Sequence, residues 1–194
     1  MTPDKTKPAP VILVSGPAAA GKTSTVDHFA RQRAECSLHV SLDDVRDFVK
    51  AGYANPEDGW TDLAERQYRL ARASCASIAR LYAADGYQCL IDDAVFPDWP
   101  EVSLNRWCTE LKGLRVGFVV ILADFEVLVE RNKARLGNRK LNTDMLRIIY
   151  DRMRGWHDHG VPVIDNTALT VRQTADELHQ LILSGQVFGS VPLR

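Results

Sequence analysis

The stretch that leaves this chain least freedom is Val11–Thr23, VILVSGPAAAGKT. Its aliphatic, β-branched opening has the composition of a buried strand. Gly16 to Thr23 then satisfies GxxxxGK[ST] at every fixed position. Glycines at 16 and 21 permit backbone angles that a Cβ opposes, so successive N–H groups can turn inward toward an anion. Lys22 can reach the β- and γ-phosphates of a triphosphate, and the Thr23 hydroxyl is a natural ligand for Mg²⁺. A helix-forming run from Ser24 to Arg33 follows, whose start adds the positive end of a helix dipole. The nucleotide-binding set expected here is Gly16, Ala18, Ala19, Ala20, Gly21, Lys22, Thr23 and Ser24.

A length of 194 residues predicts one domain. The expected limits are a flexible leader over 1–9, a single domain over 10–184 with a lid at about 131–142, and a loose tail over 185–194. The net charge of −1 carries no basic excess to advertise nucleic acid or an anionic membrane. Four cysteines, at 36, 75, 89 and 108, lie far apart without a CxxC pair, which excludes a disulfide framework and fits a reducing compartment. The polar, proline-rich start is not a signal peptide, and no apolar run approaches the length of a membrane span. A soluble, cytoplasmic protein is expected.

Further along, Ser37–Ser41 is a second strand and Asp43–Ala51 a short helix. A turn-rich loop over 52–60 leads to a long helix capped by Thr61, with Ala71, Cys75, Ile78 and Tyr82 on one face. Tyr87–Ile91 is a third strand, followed by Asp92-Asp93, and Glu101–Lys112 a helix. Arg115–Leu122 is apolar enough to be covered on both faces, as in parallel sheets. A helix from Asp124 carries Arg131 and Arg135. Another, capped by Thr143, places Leu146, Ile149, Tyr150 and Met153 together. Val161–Ile164 is the last strand. Thr170 and Gln173 form a capping box for a helix whose inner face is Val171, Ala175, Leu178 and Ile182. Strands and helices thus alternate about five times: a three-layer α/β/α sandwich of the P-loop NTPase type, with a five-stranded parallel sheet, a small helical lid, and ligands at the carboxyl ends of the strands.

Phosphoryl transfer asks a protein mainly to position groups and neutralise charge. Asp43-Asp44-Val45-Arg46 stands at the end of the second strand, where a carboxylate can accept the proton of an attacking hydroxyl. An arginine one helical turn on can hold an anion or orient that carboxylate. Asp43 is the base of choice and Asp44 the alternative. At the end of the third strand, Asp92 suits a metal-associated carboxylate and Asp93 a substrate contact, with the assignment between the two open. Arg131, Arg135, Arg139 and Lys140 can fold over bound nucleotide and neutralise the transferring group. Tyr53, Trp60, Tyr68, Phe96 and Trp99 cluster in loops expected around an acceptor, where some can stack on a ring. His157-Asp158-His159 reads as surface, since Mg²⁺ prefers oxygen ligands.

Together these residues resemble P-loop kinases of the adenylate-kinase-like type. SLDDVRD, and LVERNKAR followed by TDMLRIIYDRM, are similar to segments of phage-type polynucleotide 5′-hydroxyl kinases. That likeness implies Asp43 as general base, Arg46 as its partner, and Arg131 and Arg135 as lid arginines. CLIDDAVF resembles the corresponding stretch of chloramphenicol phosphotransferase-type kinases. The implied activity is ATP- and Mg²⁺-dependent transfer of the γ-phosphate to a hydroxyl of a small molecule, such as an antibiotic or a nucleoside. A polynucleotide 5′-hydroxyl kinase is the alternative, and a nucleotide-binding switch without transfer the second. In the implied catalytic set, Lys22, Arg131 and Arg135 act on phosphate and Asp43 on the acceptor. Arg46 and Asp93 join Asp43 at the substrate, and Thr23 and Asp92 hold the metal.

Overall fold

The protein is described by a computed structural model covering residues 8–33, 36–55, 58–135 and 140–189. Its sheet has five strands: β1 (Val11–Ser15), β2 (Ser37–Ser41), β3 (Gln88–Asp92), β4 (Val116–Leu122) and β5 (Val163–Asp165). They run in the order β2-β3-β1-β4-β5, and every pairing is parallel. Around them stand α1 (Lys22–Arg33), α2 (Leu42–Arg46), α3 (Asp62–Ala84), α4 (Leu104–Glu110), α5 (Phe125–Lys133), α6 (Thr143–Met153) and α7 (Val171–Leu183).

Alternation along the central strands divides the core into two. Val11 and Leu13 of β1, with Phe118 and Val120 of β4, pack on one side against the small residues of α3 (Ala71, Cys75, Ala76, Ala79) and Trp107 of α4. Ile12, Val14, Val119 and Ile121 point the other way, onto Val26 and Phe29 of α1, Leu128 of α5 and Leu178 of α7. A side-chain period of two, apolar at both phases, is what a sheet covered on both faces requires. The expected three layers are present.

Local structure departs from the sequence reading in instructive places. Helix α2 ends at Arg46, because the chain tightens into i→i−3 turns as Phe48 and Val49 donate to the carbonyls of Val45 and Arg46. The expected helix over 101–112 is divided: Pro100–Val102 is a 3₁₀ turn, Ser103 is extended, and α4 begins at Leu104. The α6 cap is Asn142, whose side chain accepts from the Met145 N–H, rather than Thr143. Thr61 caps α3, and Thr170 with Gln173 forms the capping box of α7. Tyr82 and Val171, assigned to inner faces, are 43% and 42% exposed; Ala79, Ala83 and Thr174 take the buried positions.

The tail is not loose where it follows α7. Gln186–Phe188 forms a 3₁₀ turn that returns to β4, with Val187 fully buried. It fits because Gly117 has no side chain: a Cβ there would stand 2.8 Å from Val187 Cγ2. Arg115 covers the Phe188 ring, its guanidinium carbon 3.8 Å from the centroid. The truncation Val187→Ala is expected to cost roughly 1.5–3 kcal/mol, the loss of about two buried methylenes plus a cavity term. Urea unfolding of the two proteins measures it, and a difference near zero would mean that the turn contributes nothing to the core.

Candidate nucleotide and acceptor site

Strand β1 ends at Ser15, and the chain leaves the sheet through Gly16 at φ 146°. A Cβ there would lie 2.1 Å from the Ile121 carbonyl oxygen, so only glycine lets the loop turn this close to β4. Ala19 is held at φ 63° and Gly21 at φ 87°, left-handed geometry that curls the loop back before α1 begins at Lys22. Ala18, Ala19, Gly21, Lys22, Thr23 and Ser24 line a cavity of about 790 Å³. Gly16 and Ala20 are not on its wall. Ala20 is fully buried, its N–H bonded to the Pro17 carbonyl and its own carbonyl accepting from Asn166 Nδ2 at 2.8 Å. These two shape the loop instead.

Lys22 lies folded over the loop, its Nζ donating to the carbonyls of Gly16 at 2.9 Å and Pro17 at 3.0 Å. Burial holds this amine below the usual lysine range, against the pull of the Asp92 and Asp43 carboxylates. An incoming phosphate offers it stronger, charged acceptors than two carbonyls.

Beside the loop, β3 ends in two carboxylates with opposite fates. Consecutive residues of an extended chain point to opposite faces. Asp92 turns toward the P-loop, where Thr23 Oγ1 donates to its Oδ1 at 2.9 Å. Ser41 Oγ reaches the same oxygen at 3.4 Å, and His39 Nε2 donates to Oδ2 at 2.6 Å. Register explains this grouping: Ser41 pairs with Asp92 across β2 and β3, and His39 lies two residues back on the same face. The sequence reading omitted His39 and Ser41, although the alternation of SLHVS places them together.

Asp93 turns to the opposite side of the sheet. Its Oδ2 accepts from Trp107 Nε1 at 2.7 Å and its Oδ1 from the Ala94 N–H at 2.6 Å. It does not line the cavity, where a substrate contact was expected of it; its carboxyl fastens α4 beneath the sheet.

Arg131 and Arg135 also part company. Both line the cavity. Arg131 is tethered through Nη1 to Asn166 Oδ1 at 3.1 Å and through Nη2 to the Asn166 carbonyl at 3.0 Å. Through Asn166 it is linked to the Ala20 carbonyl of the P-loop. Arg135 is near enough to Lys22 for its charge to depress that amine. Arg139, with the middle of the expected lid, lies outside the described residues, and Lys140 is exposed.

The same cavity extends past the P-loop to α2 and α3. Asp43 and Arg46 both face it, with Asp43 Oδ1 3.6 Å from Arg46 Nη1; Asp44 is not on its wall. Arg46 is only 4% exposed. Its Nη1 donates to Tyr68 Oη at 3.1 Å, and its guanidinium carbon lies 3.9 Å from the Tyr68 ring centroid and 5.1 Å from that of Tyr53. Burial pushes the Tyr68 phenol well above its ordinary value, so it stays neutral. All five expected aromatic residues line this cavity. His157, Asp158 and His159 are exposed.

Among the described residues no group of three or more His, Cys, Asp or Glu side chains is gathered to hold a metal. The oxygen donors of Thr23 and Asp92, beside a phosphate loop, instead suit Mg²⁺, which takes few protein ligands and completes its shell with water and phosphate.

Burial lifts the Asp93 carboxyl above its usual value, while the Trp107 hydrogen bond and the Arg72 charge pull it down. Removing that donor in Trp107→Phe lifts it further. A carboxyl whose folded value lies above its unfolded one favours the fold at low pH, and that contribution is lost as pH rises through the folded value. The variant is therefore expected to lose about 1–3 kcal/mol more at about pH 8 than at about pH 5. Urea unfolding at the two pH values reads it; equal losses would leave only the change in packing.

No curated protein matches the chain by sequence. Among solved structures it is similar to the tunicamycin resistance protein of Deinococcus radiodurans, at 20% identity over 90% of this chain and 95% of that one, with TM-score 0.63. Shikimate kinase from Acinetobacter baumannii, in complex with shikimate, aligns at 20% identity over 94% and 97%, with TM-score 0.61. Thymidylate kinase from Candida albicans aligns at 13% identity over 93% and 94%, with TM-score 0.63. At such identities the likeness shows a shared fold. The family model described as AAA domain matches residues 11–159, well over half of the sequence. The chain therefore belongs to the AAA domain family, and it shares its fold with these kinases.

Proposed function

We propose that the protein transfers the γ-phosphate of ATP to a hydroxyl group of a small molecule, with Mg²⁺ as cofactor. The observation that carries this reading is the continuity of one cavity. P-loop residues line it together with Asp43, Arg46 and an aromatic wall, so donor and acceptor can share a single space. The kinase fold agrees with phosphotransfer at a coarser level.

In this mechanism the P-loop amides and Lys22 hold the β- and γ-phosphates. Thr23 and Asp92 would hold Mg²⁺, which supplies neutralisation of phosphate charge when bound; His39 and Ser41 keep the Asp92 carboxylate in place. Asp43 accepts the proton of the acceptor hydroxyl as its oxygen attacks the γ-phosphorus. The bond to the bridging oxygen of ADP breaks, and ADP leaves. Arg135, beside Lys22, neutralises the developing charge. Arg131, bound to Asn166, acts by fixing the wall of the nucleotide pocket.

Asp43→Asn is expected to keep nucleotide affinity within about twofold while kcat falls by about 10²–10⁴. Equilibrium binding of a fluorescent ATP analogue and phosphate transfer to the acceptor provide the two readings. Unimpaired transfer would move the base elsewhere. Lys22→Ala is expected to lower kcat/KM by about 10²–10³ with little change in Tm. ATP consumption that requires no acceptor in the unaltered protein would point instead to a nucleotide switch.

A further inference from the structure

Asn166 stands where three segments meet, one residue past the end of β5. It is 3% exposed, and its N–H donates at 2.7 Å to the carbonyl of Leu122, the last residue of β4. Both ends of its carboxamide are engaged: Nδ2 donates to the Ala20 carbonyl of the P-loop at 2.8 Å, and Oδ1 accepts from Arg131 Nη1 at 3.1 Å. The second donor of Arg131, Nη2, grips the main-chain carbonyl of the same residue at 3.0 Å. A guanidinium only donates, so Arg131 decides that the oxygen end of the amide faces it and leaves Nδ2 for Ala20. Without Arg131 the amide loses the donor that fixes its sense, and its hold on Ala20 loosens.

What Asn166 holds matters to the loop. The Ala20 carbonyl shares one rigid, planar peptide unit with the Gly21 N–H, and the two point in opposite directions. Gly21 lines the cavity, and a Cβ on it would stand 3.8 Å from Asn166 Nδ2. Holding the carbonyl therefore sets the direction of an amide that bound phosphates would meet. The loop also needs a hold from outside itself. Ala19 sits at φ 63°, a region alanine seldom occupies. Ties within the loop include the Ala20 N–H on the Pro17 carbonyl, at a long 3.3 Å, and Lys22 Nζ on the carbonyls of Gly16 and Pro17. When Lys22 turns to phosphate it gives up both of its ties, and the bond from Asn166 stays.

Resting on the phosphotransferase reading above, we infer that Asn166 is a positioning residue for phosphate binding. It fixes the Ala20–Gly21 peptide so that the Gly21 N–H meets the phosphates, and Arg131 acts on the nucleotide through Asn166 rather than by touching it. The two side chains work as one unit, whose effect reaches the phosphates and not the base or the sugar.

The test uses the full chain with Mg²⁺ and two probes, ATP and inorganic tripolyphosphate, each displacing a fluorescent ATP analogue. Tripolyphosphate carries the phosphates without base or sugar. Asn166→Ala is expected to weaken tripolyphosphate about tenfold, the loss of one aimed hydrogen bond, and ATP by the same factor. Should that variant fold poorly, Asn166→Ser, too short to reach Ala20, serves the same purpose. Arg131→Ala is expected to cost about threefold or more, and the double variant to bind within about twofold of Asn166→Ala alone, because partners in one unit are not additive. The ratio of Arg131→Ala to the unaltered protein is read at about 50 mM and about 300 mM salt, since a direct pull of its charge on phosphate fades with screening and a loss through Asn166 does not. Additive losses, a ratio that vanishes at the higher salt, a larger loss for ATP than for tripolyphosphate, or a lowered Tm with both affinities kept overturns the inference. Tripolyphosphate that fails to bind the unaltered protein while ATP binds overturns it too. Failure of ATP itself to bind the unaltered protein would instead remove the kinase reading.

Discussion

The close approach of Gly16 to the Ile121 carbonyl governs the whole carboxyl edge of this sheet. A side chain at that point would collide with backbone, and the loop could not cross β4 and return to begin α1 where it does. The crossing brings Lys22 over the loop, Thr23 to Asp92, and the Ala20 carbonyl to Asn166. The fold of Lys22, the Thr23–Asp92 contact and the tether of Arg131 all follow from one missing Cβ.

Around that turn the site is assembled from strand ends. Parallel register brings Ser41 level with Asp92 and carries His39 to the same carboxylate. The hydrogen bonds of Asp92 are thus dictated by backbone pairing as much as by the side chains themselves. A carboxylate held by hydroxyl and imidazole donors presents a defined direction to whatever binds beside Thr23, which an exposed aspartate cannot do. Its neighbour, one residue on, serves the opposite layer through Trp107. The contact with Thr23 of the P-loop and the fastening of α4 therefore begin at adjacent residues.

The aromatic part of the cavity is built differently. Its rings come from the loop before α3, from α3 itself and from the loop after β3, and they pack on one another before they meet a ligand. Arg46 is the joint: nearly buried, stacked on Tyr68, and paired with the proposed base. Its guanidinium lies 3.6 Å from Asp43 and donates to Tyr68 Oη and the Ala54 carbonyl, while its buried Nε has no hydrogen-bond partner.

The motif from Val11 to Thr23, the alternation of strands with helices and the caps at Thr61 and Thr170 were legible in the sequence. Each rests on neighbours close in the chain: spacing, backbone freedom and local hydrogen bonds. What the sequence left open needed contacts between distant segments. Asp92 and Asp93 are chemically identical, and only the face each takes separates a carboxylate beside the P-loop from one that holds α4. Arg131 and Arg135 share a helical spacing, yet Asn166, distant in sequence, claims one of them. His39 and Val187 acquire their places only when β2 meets β3 and when the tail finds the gap above Gly117. Local chemistry determined which groups this protein owns; tertiary packing decided which of them face the same space.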